Sequence, residues 1–493
     1  MRWPQDDTEI RQFMEAWDNR CPVMIVPTKF FEVPTSTFED YGVSTVIWAN
    51  HNMRASISVM QETTKSIFES KSLNPVEKSG KVVPVSEVFR LQNTKELQPA
   101  ETNPVLRAMD ETHETKCEPQ AVVEAMRANG TSFFCGVPDS LLKNFCDYVT
   151  SNTTKDEHVI AANEGTAVAM AAGHHLATGQ IPVVYLQNSG LGNIVNPILS
   201  LADTKVYSVP MILMIGWRGE PGKKDEPQHG VQGKCTPSLL KEMGIPYEVL
   251  PDYNEGMQEA MAKAYSYVHN RSAPFAFLIK KNTFEKYKME PQVQTDYPLT
   301  REFALNMILD AFPDTPLVTT TGFTSREVFE LREARGEGHG NDFLTVGSMG
   351  HCSSIALGIA NARPDSNVVA VDGDGAALMH LGGMASVGMS GRTNFKHILI
   401  NNGMHDSVGG QPTGGLGIDF TAMAKACGYA EALTVESEAE TKAALTYLSS
   451  AAVEGPVMIE IKVKGGSRAD LGRPTTTPIE NKVAFMKKLG ALS

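Results

Sequence analysis

Val368-Val-Ala-Val-Asp-Gly-Asp-Gly375 and His397-Ile-Leu-Ile-Asn-Asn402 decide the fold of this chain. Each is a short, uninterrupted apolar run that ends abruptly in Gly, Asp or Asn. Such runs read as strands buried on both faces, the signature of parallel sheets rather than of half-exposed hairpins. Strands over 368–371 and 397–400 would place a carboxylate, Asp374, and an amide, Asn402, at neighbouring strand tips. Open parallel sheets bind ligands outside the carboxyl ends of their strands. Carboxylate and amide oxygens suit a small hard cation such as Mg²⁺, which usually keeps phosphate oxygens in its shell. Gly373 and Gly375 would let backbone approach that phosphate closely. The stretch thus reads as a metal–diphosphate site.

Working outward, the same strand-then-helix rhythm fills most of the 493 residues. Residues 299–493 carry further strands near 317–320, 343–346 and 457–461. Residues 117–290 repeat the pattern, with strands near 132–135, 158–162, 183–186, 211–215 and 276–279, and helices near 120–129, 165–178 and 255–267. The polar stretch 284–298, with Pro291 and Pro298, marks the boundary between them. Alternation of this kind predicts an α/β protein with two doubly wound parallel-sheet domains. Residues 1–98 show two more strands, near 23–26 and 44–48, each followed by helix. Residues 99–116, with two prolines and several acids, read as a linker.

Bulk properties exclude several classes. With 44 basic and 57 acidic side chains the net charge is −13, unsuited to general binding of nucleic acid or anionic membrane. An anionic substrate would need a local cationic pocket. The seven cysteines are scattered and form no CxxC pair. An odd count in a long chain predicts a reducing, cytoplasmic setting rather than a disulfide framework. The N-terminal residues show no apolar signal segment, and no run reaches the length of a membrane span.

The Gly-Asp-Gly and Asn-Asn pair resembles the cofactor motif of the thiamine-diphosphate enzymes, the family of pyruvate decarboxylase and acetolactate synthase. The resemblance implies that Asp374, Asn402 and the carbonyl of Met404 ligate Mg²⁺, with Gly373, Gly375 and the Ala376 N–H against the diphosphate. Ala376 stands where many members carry serine, so a hydroxyl contact is missing. A second resemblance lies elsewhere. Asn163-Glu164-Gly165-Thr166-Ala167 ends a short strand and opens an alanine-rich helix. A carboxylate there is ordinarily an electrostatic cap. In the family it is the glutamate that shares a proton with the cofactor's pyrimidine ring, reaching it from a second subunit. Glu164 is the residue so implied. Gly347-Ser348-Met349-Gly350 resembles the loop that supports the bent cofactor, with the Gly347 carbonyl as acceptor and Met349 as the apolar wedge.

Three loops at strand ends would line the substrate: Gly136-Val-Pro-Asp139-Ser140, Gln187-Asn188-Ser189 and His405-Asp-Ser407-Val-Gly-Gly-Gln411. Together with Trp217-Arg218, the acidic-basic run to His229, and Ser467-Arg468 to Arg473, they resemble the phosphonopyruvate decarboxylases over about three quarters of the chain. The implied reaction converts 3-phosphonopyruvate, a small anionic 2-oxo acid, to phosphonoacetaldehyde and CO₂ in phosphonate biosynthesis. Asp139 and His405 would handle protons. Ser140, Asn188, Arg218, Ser407, Gln411, Arg468 and Arg473 would contact substrate, a doubly charged anion calling for Arg or Lys; Lys223 and Lys224 are further cations of these loops. A homo-oligomer, at least a dimer, follows from the family. Sulfopyruvate decarboxylation, 2-oxo acid carboligation and a non-catalytic pathway subunit are the alternatives. Residues 22–31 and 46–56 resemble the end of phosphoenolpyruvate mutase, a TIM barrel. Two strands cannot close such a barrel, so this piece is expected as part of a mutase–decarboxylase fusion.

Overall fold

A computed structural model of the protein describes residues 7–84, 87, 116–450 and 454–492. The chain forms two compact units, residues 1–110 and 111–493. The expected linker 99–116 lies outside the described residues except for Lys116.

The first unit carries β1 (Met24–Ile25) and β2 (Thr45–Val46), paired in parallel. Helices Thr8–Trp17, Thr35–Asp40, His51–Ser70 and Asn74–Glu77 accompany them. Its core is small, built on Met14, Phe38 and Val43. The 20-residue helix His51–Ser70 buries no side chain, and Met53, Met60 and Phe68 are exposed. Among its described residues the unit has two strands and forms no closed barrel.

The second unit contains two six-stranded parallel sheets. The first comprises β3 (Phe134–Gly136), β4 (His158–Ile160), β5 (Val183–Gln187), β6 (Ile212–Gly216), β7 (Tyr247–Val249) and β8 (Phe275–Ile279). The second comprises β9 (Leu317–Thr319), β10 (Asp342–Leu344), β11 (Val368–Gly373), β12 (Phe395–Asn401), β13 (Glu431–Val435) and β14 (Val457–Lys462). Their orders, β4-β3-β5-β6-β8-β7 and β10-β9-β11-β12-β14-β13, are the same topology used twice. In the first sheet, alternate residues enter different cores: Val183 and Tyr185 join one, Val184 and Leu186 the other. Helices therefore cover both faces, as doubly wound sheets require.

Two strands escaped sequence reading. β7 and β13 each lie at a sheet edge, and both are only partly buried. Without helices on every side they carry no continuous apolar run, which was the signal used for the others.

In each sheet the chain passes from one side of its first strand to the other, between β3 and β5 and between β9 and β11. Such switch points open a crevice at the strand tips. The register pairs Gly373 of β11 with Ile400 of β12, so Asp374 and Asn401-Asn402 emerge side by side beside the second crevice. Among the described residues no helix is long and apolar enough to cross a membrane, and all seven cysteines are free.

Candidate cofactor and substrate site

Asp374 opens the helix Asp374–Met379 and is 3% exposed. Burial raises its pKa to about 6, against the Thr413 hydroxyl and the N–H groups of Asp374, Gly375 and Asn402, which favour the ionised form. Thr413 Oγ1 donates to its Oδ2. No described Lys, Arg or His forms an ion pair with it. A buried carboxylate held only by neutral donors is a poor arrangement in isolation and a good one beside a cation. Gly415 lies against it: a side chain there would run into Asp374 Oδ2 and Asn401 Oδ1.

The two asparagines have separate duties. Asn401 is fully buried. It donates to the Gly415 carbonyl at 2.8 Å and to Glu460 Oε1 at 2.7 Å, and it accepts from Gly403 N–H at 3.1 Å. Asn402 donates to Asp406 Oδ2 at 2.8 Å and accepts from Met404 N–H at 3.1 Å. Beyond it, Met404 pairs with Pro412 across an isolated antiparallel bridge. The bridge's hydrogen bonds come from His405 N–H to Gln411 and Thr413 N–H to Gly403. Met404 is therefore the non-bonded pair of that bridge, with its carbonyl turned away from Pro412.

On β9's side of the crevice, Thr320 is 4% exposed and its hydroxyl has no partner. Its methyl lies 3.8 Å from where a side chain on Gly373 would begin. Sequence reading missed this residue. The signal was there, since Thr319-Thr320-Thr321-Gly322 ends an apolar strand.

Glu164 begins the helix Glu164–Thr178 and is 5% exposed. Asn163 caps that helix by accepting from Thr166 N–H. Asn193 Nδ2 donates to Glu164 Oε2 at 2.7 Å, and Gly190 lacks a side chain where Oε1 sits. The helix packs through Ala167, Ala171 and Ala172. Asn163 Nδ2 also reaches the Met379 carbonyl at 3.2 Å. The cap of the Glu164 helix thus touches the end of the Asp374 helix within the chain. The loop with Gly347 and Met349 joins them. Gly350, at φ +87°, tolerates no side chain because Ala376, Met379 and His380 crowd it. Gly347 faces the Gln228 side chain, and Met349 is half-buried.

At the first sheet's switch point, Asp139 is fully buried. It accepts from Leu141 N–H at 2.8 Å and from Gln187 Nε2. Arg218 is clamped by Asp225, with Nε to Oδ2 at 2.9 Å and Nη2 to Oδ1, and its Nη1 meets Ser140 at 3.0 Å. Asn188 holds the Arg218 backbone from both sides, at 2.7 and 3.2 Å. Asp139, Ser140, Asn188 and Arg218, from three loops, therefore form one cluster. His229 joins it, 7% exposed with Nδ1 unpartnered; burial lowers its pKa.

The remaining expected residues are placed differently. The His405 ring lies against Gly375. The residue keeps some surface, but enclosure of the ring pushes its pKa down to about 4, so it is neutral at pH 7. Gln411 is fully buried and donates to Asp147 Oδ1 at 2.6 Å, a tie to the first sheet's helix Lys143–Asn152. Ser407 is exposed near Gly322. Arg468 is held by Glu302 at 2.9 Å, by Glu330 and by Asp470. Arg473 pairs with Glu226. Neither is brought to the Arg218 cluster except through Glu226, the neighbour of Asp225.

The donors fit a diphosphate with a divalent cation. There is a buried carboxylate without a cationic partner, an amide oxygen beside it, an orphan hydroxyl and glycines where side chains would obstruct. Comparison with known proteins bears on the diphosphate. Residues 119–241 match the thiamine pyrophosphate enzyme N-terminal TPP binding domain, and residues 321–461 match the C-terminal TPP binding domain. A phosphonopyruvate decarboxylase of Streptomyces viridochromogenes is 34% identical over 73% of this chain and 91% of its own length. A sulfopyruvate decarboxylase of Methanosarcina acetivorans is 26% identical over 65% of this chain and 84% of its own. A phosphoenolpyruvate phosphomutase of Tetrahymena pyriformis is 55% identical over 97 residues, 20% of this chain and 32% of that protein. The chain belongs to the thiamine diphosphate-dependent enzymes. Within them it is a decarboxylase, a carboxy-lyase whose cofactor is thiamine diphosphate.

Proposed function

We propose that the protein decarboxylates 3-phosphonopyruvate to phosphonoacetaldehyde and CO₂, using thiamine diphosphate held through Mg²⁺. The observation that carries the substrate class is the Arg218–Ser140–Asn188 cluster at the first sheet's switch point, in a chain of net charge −13. A guanidinium fixed by a carboxylate on one edge still presents N–H groups on the other, and Ser140 offers a hydroxyl beside it. Lys223 and Lys224 on the same loop are exposed and would add charge at its mouth. A phosphonate dianion is matched by this set through charge-assisted hydrogen bonds. The 34% identical relative of that activity supports the same reading.

When bound, thiamine diphosphate supplies the electron sink that lets CO₂ depart. The protein supplies the rest. Asp374, the Asn402 side chain and the Met404 carbonyl would hold Mg²⁺, while Gly373, Gly375, the Ala376 N–H and the Thr320 hydroxyl would line the diphosphate. Glu164, steadied by Asn193, would hold the proton exchanged with the pyrimidine ring. Met349 would support the ring from below, with the Gly347 carbonyl as acceptor. Neutral His405 and buried Asp139 would serve as the proton carriers.

A coupled aldehyde assay on phosphonopyruvate tests the reading. Turnover is expected only with both thiamine diphosphate and Mg²⁺, and cofactor-independent turnover would remove the basis of the assignment. Sulfopyruvate is the second reading, supported by the 26% identical relative. The ratio of kcat/KM for the two acids decides between them.

A further inference from the structure

Arg301 is 5% exposed although it is an arginine, and nothing in the reaction so far uses it. Its Nε and Nη2 bind both oxygens of Glu327, each at 2.8 Å. Glu327 is itself 1% exposed. Nη1 continues to Asp406 Oδ2 at 2.8 Å, and the guanidinium carbon lies 5.1 Å from the centre of the Phe323 ring. Gly466 closes the ring of contacts: its carbonyl accepts from Arg301 Nη2 at 3.3 Å, and its N–H donates to Asp406 Oδ2 at 3.0 Å. The end of this chain is Asn402 Nδ2, which donates to the same Asp406 oxygen at 2.8 Å.

A side-chain amide has an oxygen and a nitrogen of nearly equal size, so packing alone does not choose which way it faces. An ionised carboxylate only accepts. Asp406 therefore admits the nitrogen of Asn402 and excludes its oxygen. Oδ1 is turned to the opposite side, where Met404 N–H takes one lone pair at 3.1 Å and the other stays free. Asp406 in turn cannot rotate away, because Arg301 and the Gly466 N–H hold it, and Arg301 is locked by Glu327.

We infer that Asp406, fixed by Arg301 and Glu327, is the positioning residue that aims the Asn402 amide oxygen at the metal beside Asp374. It acts through Asn402 and touches neither substrate nor cofactor. The inference rests on the assignment of Asn402 as a metal ligand made above. Groups that orient a metal ligand typically change metal affinity by about 10–100-fold when removed.

The test uses the full chain. Wild type, Asp406→Asn, Asn402→Ala and the double variant are titrated with Mg²⁺ at fixed thiamine diphosphate. Bound cofactor is read by equilibrium dialysis and folding by circular dichroism. In Asp406→Asn the half-saturating Mg²⁺ is expected to rise about 10–100-fold, with cofactor binding recovered at saturating Mg²⁺. Adding Asp406→Asn to Asn402→Ala should cost no more than about twofold further, because both act through one amide. A half-saturating Mg²⁺ unchanged in Asp406→Asn, with Asn402→Ala impaired, overturns the inference and leaves the metal assignment standing. A normal Mg²⁺ response in Asn402→Ala overturns both. If Asp406→Asn does not fold, Arg301→Lys decides: it keeps the charge but not the bidentate grip, and should shift the Mg²⁺ response in the same direction. No shift there would equally overturn the inference.

Discussion

Asp374 joins a burial problem to the proposed metal site. Its pKa stands at about 6 instead of 3.8, chiefly through burial. The folded state thus favours the protonated acid, so the cofactor-free protein is most stable below pH 4 on this account and loses that contribution as pH rises through 6. The difference corresponds to about 3 kcal/mol at 1.36 kcal/mol per pH unit. A cation reverses the balance by stabilising the carboxylate. Protons and Mg²⁺ then compete, and apparent Mg²⁺ affinity is expected to fall about tenfold per pH unit below pH 6, measurable by calorimetry between pH 5 and 7.5. Glu164 makes a different expectation. Glu164→Gln keeps the size and the Asn193 neighbour but not the exchangeable carboxylate. Cofactor binding should survive, while kcat drops by about 10²–10⁴-fold in the coupled aldehyde assay.

At the scale of elements, the loop from Asn402 to Gly415 carries most of the site's order. Gly415→Ala would thrust a methyl between Asp374 and Asn401. With no room on either side, Mg²⁺-dependent cofactor affinity should fall at least about tenfold, the range seen when a metal ligand loses its support; dialysis with folding verified by circular dichroism reads it. The loop's far end is anchored by Gln411 to Asp147, whose pKa burial raises. Gln411→Ala leaves that buried carboxylate one donor short, at a cost of about 1–3 kcal/mol, seen as a lower Tm. The tail 463–473 is strapped down in the same manner. Arg326 donates to the carbonyls of Leu471 and Gly472, and Arg468 pairs with Glu302 and Glu330.

For the whole molecule, the duplicated topology puts one switch point under each half of the chemistry. The proposed metal site lies at β9/β11, and the Arg218 cluster lies at β3/β5 and continues onto β6. Contacts such as Asn163 to Met379 join the halves within one chain. Mixing Glu164→Gln with Asp374→Ala chains shows whether they also exchange between subunits: recovered activity marks exchange, and none marks pairing within the chain. The 111–493 unit has its own cores on both sheets. Residues 111–493 alone should therefore decarboxylate with kcat/KM within about threefold of the full chain, as a unit with its own core allows, provided expression yields a folded protein by circular dichroism.

Strand tips were legible because a strand buried on both faces must be apolar, and it must stop where polar loop chemistry begins. That placed Gly373, Asp374 and Asn402 from sequence alone. Glu164 and Met349 became legible only through family resemblance, since a capping glutamate and a core methionine look ordinary by composition. Thr320 passed unnoticed because a strand-end threonine is commonplace until its hydroxyl is found buried without a partner.

By itself, then, the sequence determined two parallel α/β modules, their strand tips and the carboxylate–amide pair at two of those tips. Only the tertiary structure decided the pairing of charges. Arg468 went to Glu302 and Glu330, and Arg301 to Asp406. The physical reason is range. Strand burial is written in neighbouring residues, but an ion pair is made by loops that meet across more than a hundred positions, as Arg301 and Asp406 do.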